Sequence, residues 1–166
     1  EDQTPLANVM ALDFARRRPG RRYLDFGAGV GSGAILFAQH GFQVALADIS
    51  SPLLRFAEWR LAQGGLTAQI VDLKTSRLPT NGFDVITTMD VFEHLHDPLA
   101  AVDQLADALR PGGHVLGLSA AEKDPVRPQH ILFEFEPTFQ RLATHGLIEA
   151  RRDQWLWGHQ VFEKSR

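Results

Sequence analysis

Tyr23-Leu24-Asp25-Phe26-Gly27-Ala28-Gly29-Val30-Gly31-Ser32-Gly33-Ala34 is the stretch whose reading decides the fold. A short apolar run carries an acid, glycines then alternate with small residues, and Ala34-Ile35-Leu36-Phe37-Ala38 opens a helix-like pattern. Physically this is a strand, a tight turn and a helix N-terminus. Glycine at alternate positions gives the backbone access to positive φ and removes the Cβ atoms that would hold a ligand away. Such a turn, at the carboxyl end of a first strand, is where an open parallel sheet takes a nucleotide-type ligand.

Outward from that turn, strands and helices alternate. Residues 4 to 18 read as a helix capped by Thr4, with Pro5 in its first turn and Pro19-Gly20 stopping it. Tyr23 to Phe26 is the first strand, and Ser32 to His40 the first helix after it, closed by Gly41. Phe42 to Ala47 is an apolar buried strand closed by Asp48, and Ser50-Ser51-Pro52 starts a helix carried by Leu53 to Gln63. Ala68 to Val71 is a third strand ending in Asp72, and Asn81-Gly82 turns into a fourth, Phe83 to Thr88. Asp97-Pro98 opens a helix over Leu99 to Leu109, which Pro111-Gly112-Gly113 ends before a fifth strand, His114 to Ser119. Residues 120 to 136 carry Pro125 and Pro128, precede Pro137, lack periodicity and read as a long functional loop. Thr138 to Thr144 is a last helix, and Leu147 to Gln154 and Gln160 to Lys164 are two final strands that pair as a hairpin. The expectation is an α/β, Rossmann-like, doubly wound and mainly parallel seven-stranded sheet with a C-terminal antiparallel hairpin and helices on both faces.

The length of 166 residues suits one domain, 1–166, with an N-terminal helix in 1–20 and an acceptor-side loop at 120–137. Hydrophobic residues at 44% and charged residues at 22% are ordinary for a globular protein, and a net charge of −3 gives no reason to expect nucleic acid. Arg16-Arg17-Arg18 and Arg21-Arg22 form a local basic cluster, read as a solvated helix end whose positive charge suits the dipole. With no cysteine, disulfides, thiolate catalysis and cysteine-ligated zinc are excluded. No apolar run approaches a membrane span and no signal peptide opens the chain, so a cytoplasmic protein with no membrane partner is expected. The start at Glu1 rather than methionine reads as a processed or truncated product.

The chemistry gathers at the strand ends. Asp25, Asp48 and Asp72 close the first three strands, and in a parallel sheet those ends open on one crevice. Asp48 stands 21 residues after Gly27, the spacing at which an acid accepts from both ribose hydroxyls. Asp72 can accept from the exocyclic amine of an adenine, with the Leu73 amide reading a ring nitrogen. One acid after a strand is usually a helix cap; three beside a glycine turn mark an adenosine site. A dinucleotide would set a pyrophosphate on the turn, and Gly29-Val30-Gly31-Ser32-Gly33-Ala34 does satisfy a G-x-G-x-x-A pattern. Asp25 argues against it, because its carboxylate would repel a diphosphate yet attract the ammonium of S-adenosylmethionine, most simply through a water. Asp90 adds a second acceptor.

The L-D-F-G-A-G-V-G turn, Asp48 and Asp72 after their strands, F-D-V-I-T-T-M-D-V-F-E-H-L-H-D-P and L-R-P-G-G-H-V-L together resemble a class I S-adenosylmethionine-dependent methyltransferase of the small-molecule group. The resemblance covers residues 20 to 120, and the tail fits the family's last two strands. It implies S-adenosylmethionine as methyl donor, S-adenosylhomocysteine as product, and a small-molecule acceptor methylated on oxygen or nitrogen ahead of carbon. It places Gly27, Ala28 and Gly29 on the methionine part; Asp25, Phe26 and Gly31 are further candidates for binding the cofactor. Asp48 and Ile49 flank the ribose, Asp72 and Leu73 the adenine, and Met89 and Asp90 the far wall.

A sulfonium methyl is already activated, so alignment in a dry site supplies most of the rate, and a base would help an amine or hydroxyl lose its proton. His40 and His145 precede glycines at helix ends, His114 begins a strand and His159 lies in the last hairpin. His94 and His96 follow the fourth strand at the crevice, and His130 lies in the long loop. The segment from Pro128 to Phe135 resembles the loop that relatives place over the acceptor, which makes His130 the first candidate base and His94 the second. A metal site from His94, His96 and Asp97 is disfavoured because i, i+2 side chains diverge on a helix, so no metal is expected. Phe133, Phe135, Trp155 and Trp157 are candidates for an apolar lid, with core packing preferred for the two tryptophans; Trp59 is assigned to packing or the adenine edge. The rival readings are an NAD(P)-binding oxidoreductase domain and a non-catalytic S-adenosylmethionine-binding module of a larger protein.

Overall fold

The computed structural model describes residues 4–118, 134–152 and 160–166. Helix α1 (Thr4–Arg16) precedes β1 (Arg22–Phe26), α2 (Ser32–Gln39), β2 (Gln43–Asp48), α3 (Ser51–Gln63) and β3 (Gln69–Asp72). Then come β4 (Phe83–Thr87), a single 3-10 turn (Phe92–His94), α4 (Pro98–Ala108), β5 (Leu109–Leu118), α5 (Glu136–Thr144), β6 (Leu147–Arg152) and β7 (Gln160–Lys164).

The seven strands form one sheet in the order β3-β2-β1-β4-β5-β7-β6. β1 to β5 run parallel, and β7 lies antiparallel between β5 and β6. The expected hairpin therefore forms, with its second strand rather than its first against the body of the sheet. The strand order reverses between β1 and β4, which is where ligands enter such sheets.

Register assigns the faces. Asp25 is level with Leu46 of β2 and Thr87 of β4, and Thr87 with Leu116 of β5, so these side chains share one face. That face packs against α1, α2 and α3 through Ala11, Phe37, Leu54, Ala57 and Leu61. Leu24, Phe26, Ala45, Ile86 and Val115 point the other way, onto Val102 and Leu105 of α4 and Leu142 of α5. Tyr23 stacks on Phe37 with ring centroids 3.6 Å apart, fixing α2 to β1.

Element ends differ from expectation in instructive places. β5 follows α4 directly, because Leu109 adopts extended backbone and pairs with Phe83, whereas Val85 pairs with His114. Pro111-Gly112-Gly113 is thus looped out inside the strand as an irregularity rather than forming a linker before it. Asp97 caps α4 by accepting the Ala100 amide at 2.9 Å, and Lys164 Nζ donates to the carbonyls of Ala106 (2.6 Å) and Leu109 (2.8 Å) at its other end. α5 starts two residues early, since Pro137 is tolerated in a first turn that has no use for its amide hydrogen. The basic cluster after α1 is used internally: Arg17 pairs with Asp13, Arg18 lies over the Phe14 ring, Arg21 donates to the carbonyls of Arg18 and Gly20, and Arg22 approaches Asp84. Among the described residues no helix is long and apolar enough to cross a membrane.

Candidate functional site

The glycine turn is pinned from below. The amides of Gly27 and Ala28 both reach the Ala47 carbonyl (2.8 and 3.2 Å), and the Gly31 amide closes on Ala28 (2.8 Å). Gly27, Gly29 and Gly31 have φ of 72°, 52° and 75°, a region costly for residues with a Cβ. A methyl at Gly27 would stand 2.4 Å from Val91 Cγ2, and one at Gly31 2.8 Å from Ala57 Cβ, so these two let β4's exit and α3 close on the turn. At Gly29 a methyl would meet nothing within 4 Å; here the backbone faces open space.

Asp48 joins that turn to β2. One carboxylate oxygen accepts the Gly29 amide at 2.9 Å, and the other accepts the Ser50 amide at 2.7 Å. Each oxygen keeps a lone pair, and the side chain borders a cavity of about 420 Å³ over the carboxyl ends of β1, β2 and β4. Phe26, Gly27, Asp48, Ile49, Leu73, Asp90 and His94 line it, seven of the residues singled out in the sequence. Its remaining wall comes from Val91 and Leu95 around the 3-10 turn and from Asp97, Ala100, Ala101 and Gln104 of the α4 region. Sequence reasoning missed that wall. Its available signal was the pair of small residues Ala100-Ala101 just after the Asp97 cap, which lets the helix start approach the turn. Asp90 itself sits at φ 53°, a strained backbone for a non-glycine at the mouth of the crevice.

Other expected residues lie elsewhere. Asp25 does not line this cavity; it is 7% exposed, on the face toward α1 and α2, and accepts the Ala34 amide of α2 at 2.9 Å. Its other oxygen is 3.4 Å from Thr87 Oγ1, which is itself 2.6 Å from Tyr23 Oη. Gly33 makes room for this group: a methyl there would stand 2.8 Å from Asp25 Oδ2 and 3.1 Å from Asn8 Oδ1. Burial pushes the Asp25 carboxyl up to about 7, against the pull of the Ala34 amide. At about 7 the Asp25 carboxyl is only partly ionised at neutral pH. Burial and the nearby Asp25 likewise raise the Tyr23 phenol well above its usual range.

Asp72 accepts the Ser51 hydroxyl (2.6 Å) and the Lys74 amide (3.0 Å), which together hold its carboxyl below the usual range. The Leu73 amide, expected to read an adenine ring nitrogen, donates to the Asp48 carbonyl at 3.0 Å, because the β2–β3 ladder continues one residue further. Met89 is a buried core residue, its Sδ 2.8 Å from where a methyl on Gly117 would stand, and does not line the cavity. Ala28, Gly29 and Gly31 also fall outside the lining. Trp59 is neither core nor cavity wall; it is exposed and stacks on Phe56. Phe135 packs in the core beside Phe139 rather than forming a lid. His40 bonds the Leu36 carbonyl, His114 lies against Phe14 and Glu163, His145 bonds Asp103, and His96 is exposed outside the lining, leaving His94 as the described histidine in the cavity. His130, Phe133, Trp155, Trp157 and His159 lie outside the described residues. Among the described residues no three His, Asp or Glu side chains are placed to hold a metal ion.

Comparison with known proteins agrees with this geometry. The family described as a methyltransferase domain matches residues 3–163. A ubiquinone biosynthesis O-methyltransferase of Xanthomonas campestris is 33% identical over 132 residues, covering 74% of this chain and 54% of that protein. One of the same description from Ralstonia nicotianae is 32% identical over 114 residues, 65% of this chain and 48% of its own. The chain thus spans about half the length of these curated relatives. Among solved structures, Haemonchus contortus phosphoethanolamine N-methyltransferase 2, crystallised with S-adenosyl-L-methionine, superposes with a TM-score of 0.68 at 27% identity over 85% of this chain and 36% of that one. The YcgJ protein of Bacillus subtilis shares the fold, with a TM-score of 0.72 at 22% identity over 91% of this chain and 76% of its own. A sheet that reverses between β1 and β4, an acid locked onto a glycine turn, and a family match running nearly end to end place this chain among the class I S-adenosylmethionine-dependent methyltransferases.

Proposed function

We propose that this chain transfers a methyl group from S-adenosylmethionine to a hydroxyl oxygen of a small molecule. The observation that carries the reading is Asp48, a residue bordering the cavity whose two oxygens each accept one backbone amide and keep further acceptor capacity, as a ribose diol requires. Ile49, Leu73 and Leu95 offer apolar walls of the kind an adenine ring packs between, and open space over Gly29 suits a chain passing close to backbone. A diphosphate fits poorly: the Gly29 amide is already given to Asp48, and Asp90 and Asp97 add negative side chains to the same rim. The choice of oxygen follows the O-methyltransferase relatives, and nitrogen is the second reading, favoured by the phosphoethanolamine N-methyltransferase likeness.

The sulfonium supplies an activated methyl when the donor is bound. The protein's part is to orient the acceptor in line with it and exclude water, worth about 7–11 kcal/mol. His94, on the cavity wall, and His130 are the histidines we assign to proton removal, an aid of about 10²–10⁴. We adopt a cytoplasmic enzyme acting on a small molecule, without nucleic acid or membrane. Titration calorimetry with S-adenosylhomocysteine and with NADH tests the donor. Micromolar binding of the first, lost in Asp48→Ala, is expected; tight NADH binding overturns the reading. Methyl transfer onto a panel of phenols and amines then separates an enzyme from a binding module.

A further inference from the structure

A nucleoside lying across this sheet meets the strand ends in a fixed order. The glycine turn follows β1, Asp48 ends β2 and Leu73 follows β3, and these strands are neighbours in the order β3-β2-β1. A ribose held by Asp48, with the methionine part on the turn, therefore carries its base toward Leu73. Both groups expected to read that base are engaged within the fold. The Leu73 amide donates to the Asp48 carbonyl at 3.0 Å. One Asp72 oxygen accepts the Ser51 hydroxyl and the other the Lys74 amide, and the residue stays outside the cavity lining.

The α4 wall supplies what the end of β3 lacks. Ala100 and Gln104 stand one turn apart on α4 with Ala101 beside them, so the three form one stripe, and all three line the cavity together with Leu73 and Leu95. The alanines leave width for a flat ring against the helix, and Gln104 closes the stripe. Its side chain is exposed and makes no hydrogen bond with any described residue, so pairing with a ligand gives up no bond inside the fold.

Adenine sets an exocyclic amine, a donor, beside a ring nitrogen, an acceptor. A carboxamide matches that pair with its own carbonyl and NH2 in one plane. The other polar side chains of the lining do not. Asp48, Asp90 and Asp97 offer acceptors alone, which would face the lone pair of a ring nitrogen, and Asp97 already caps α4. The two nitrogens of His94 point to different sides of its ring and cannot meet adjacent atoms of one base edge.

We propose that Gln104 reads the adenine of the methyl donor, its carbonyl accepting from the exocyclic amine and its NH2 donating to the neighbouring ring nitrogen. The assignment rests on the methyl-transfer reading above. It adds selection of the base, which Asp48 on the ribose and the glycine turn on the methionine part do not provide.

Titration calorimetry with two ligands tests the contact: S-adenosylhomocysteine, and its analogue carrying purine in place of adenine, which lacks only the exocyclic amine. Wild type is expected to prefer S-adenosylhomocysteine by at least about fivefold. Gln104→Leu is expected to bind S-adenosylhomocysteine about 5- to 100-fold more weakly and to bring the two ligands within about twofold of each other. The preference is a ratio measured within one protein, so a change in the variant's stability does not imitate its loss. Equal affinity of wild type for the two ligands overturns this proposal alone, as does a Gln104→Leu that keeps the wild-type preference. A preference kept by Gln104→Leu and lost in Asp72→Asn returns the base to the end of β3 and overturns it as well. Failure of the wild type to bind S-adenosylhomocysteine overturns the methyl-transfer reading and this one with it.

Discussion

Asp25→Asn separates a carboxyl that serves the ligand by its charge from one that serves the fold by its shape. In the folded protein the Asp25 carboxyl is pushed from its usual 3.8 up to about 7, chiefly by burial. A raised carboxylate contributes its stability below its unfolded pKa and loses it as pH climbs through the folded one. The folded state holds its proton longer than the unfolded chain, so wild-type stability falls between about pH 4 and pH 7. The gap is about three units at ~1.4 kcal/mol each, giving a cost of roughly 4 kcal/mol above neutrality and roughly 2 kcal/mol near pH 5. Asparagine does not titrate. Its oxygen still accepts the Ala34 amide and its nitrogen can donate to Thr87 Oγ1, so the packing survives. Urea unfolding followed by circular dichroism is expected to show the variant ahead of wild type by several kcal/mol near pH 9 and by little near pH 4. A gap that does not change with pH, or a variant less stable than wild type in alkali, would refute the reasoning.

Gly27→Ala is expected to weaken S-adenosylhomocysteine binding at least tenfold by calorimetry, since φ of 72° costs alanine about 1–2 kcal/mol and its methyl meets Val91. Val91→Ala in the same chain should return part of the loss; wild-type binding by Gly27→Ala would show that the turn is not held as described. Asp103 takes Arg141 in two hydrogen bonds of 2.7 and 2.8 Å and His145 in one of 2.7 Å, and these hold its carboxyl at about 2. The depressed value means that the clamp between α4 and α5 stabilises above about pH 4 and is lost as pH falls toward 2. With the Asp103 side chain 38% exposed, solvent screening limits it to about 1 kcal/mol or less. Thermal unfolding of Asp103→Asn should therefore show a loss of a few degrees at neutral pH and none near pH 2, and an equal loss at both would sink the assignment.

The sequence by itself determined what depends on neighbours along the chain. The alternation of strand and helix, the glycine turn with its positive φ values, the acids closing β2 and β3 and the Asp97-Pro98 helix start are local, because backbone dihedrals and side-chain alternation are set within a few residues. Only the tertiary structure decided what depends on segments meeting from far apart. Asp25, Asp48 and Asp72 look equivalent in the sequence, yet α1 and α2 bury the first and β2 commits the second to Gly29. The third accepts the Ser51 hydroxyl and stays outside the cavity lining. The loss of the Leu73 amide to the β2–β3 ladder, the retreat of Met89 into the core, the α4 wall of the cavity and the insertion of β7 beside β5 share that origin. Burial and hydrogen-bond partnership are properties of a packed environment, and one turn of chain does not carry them.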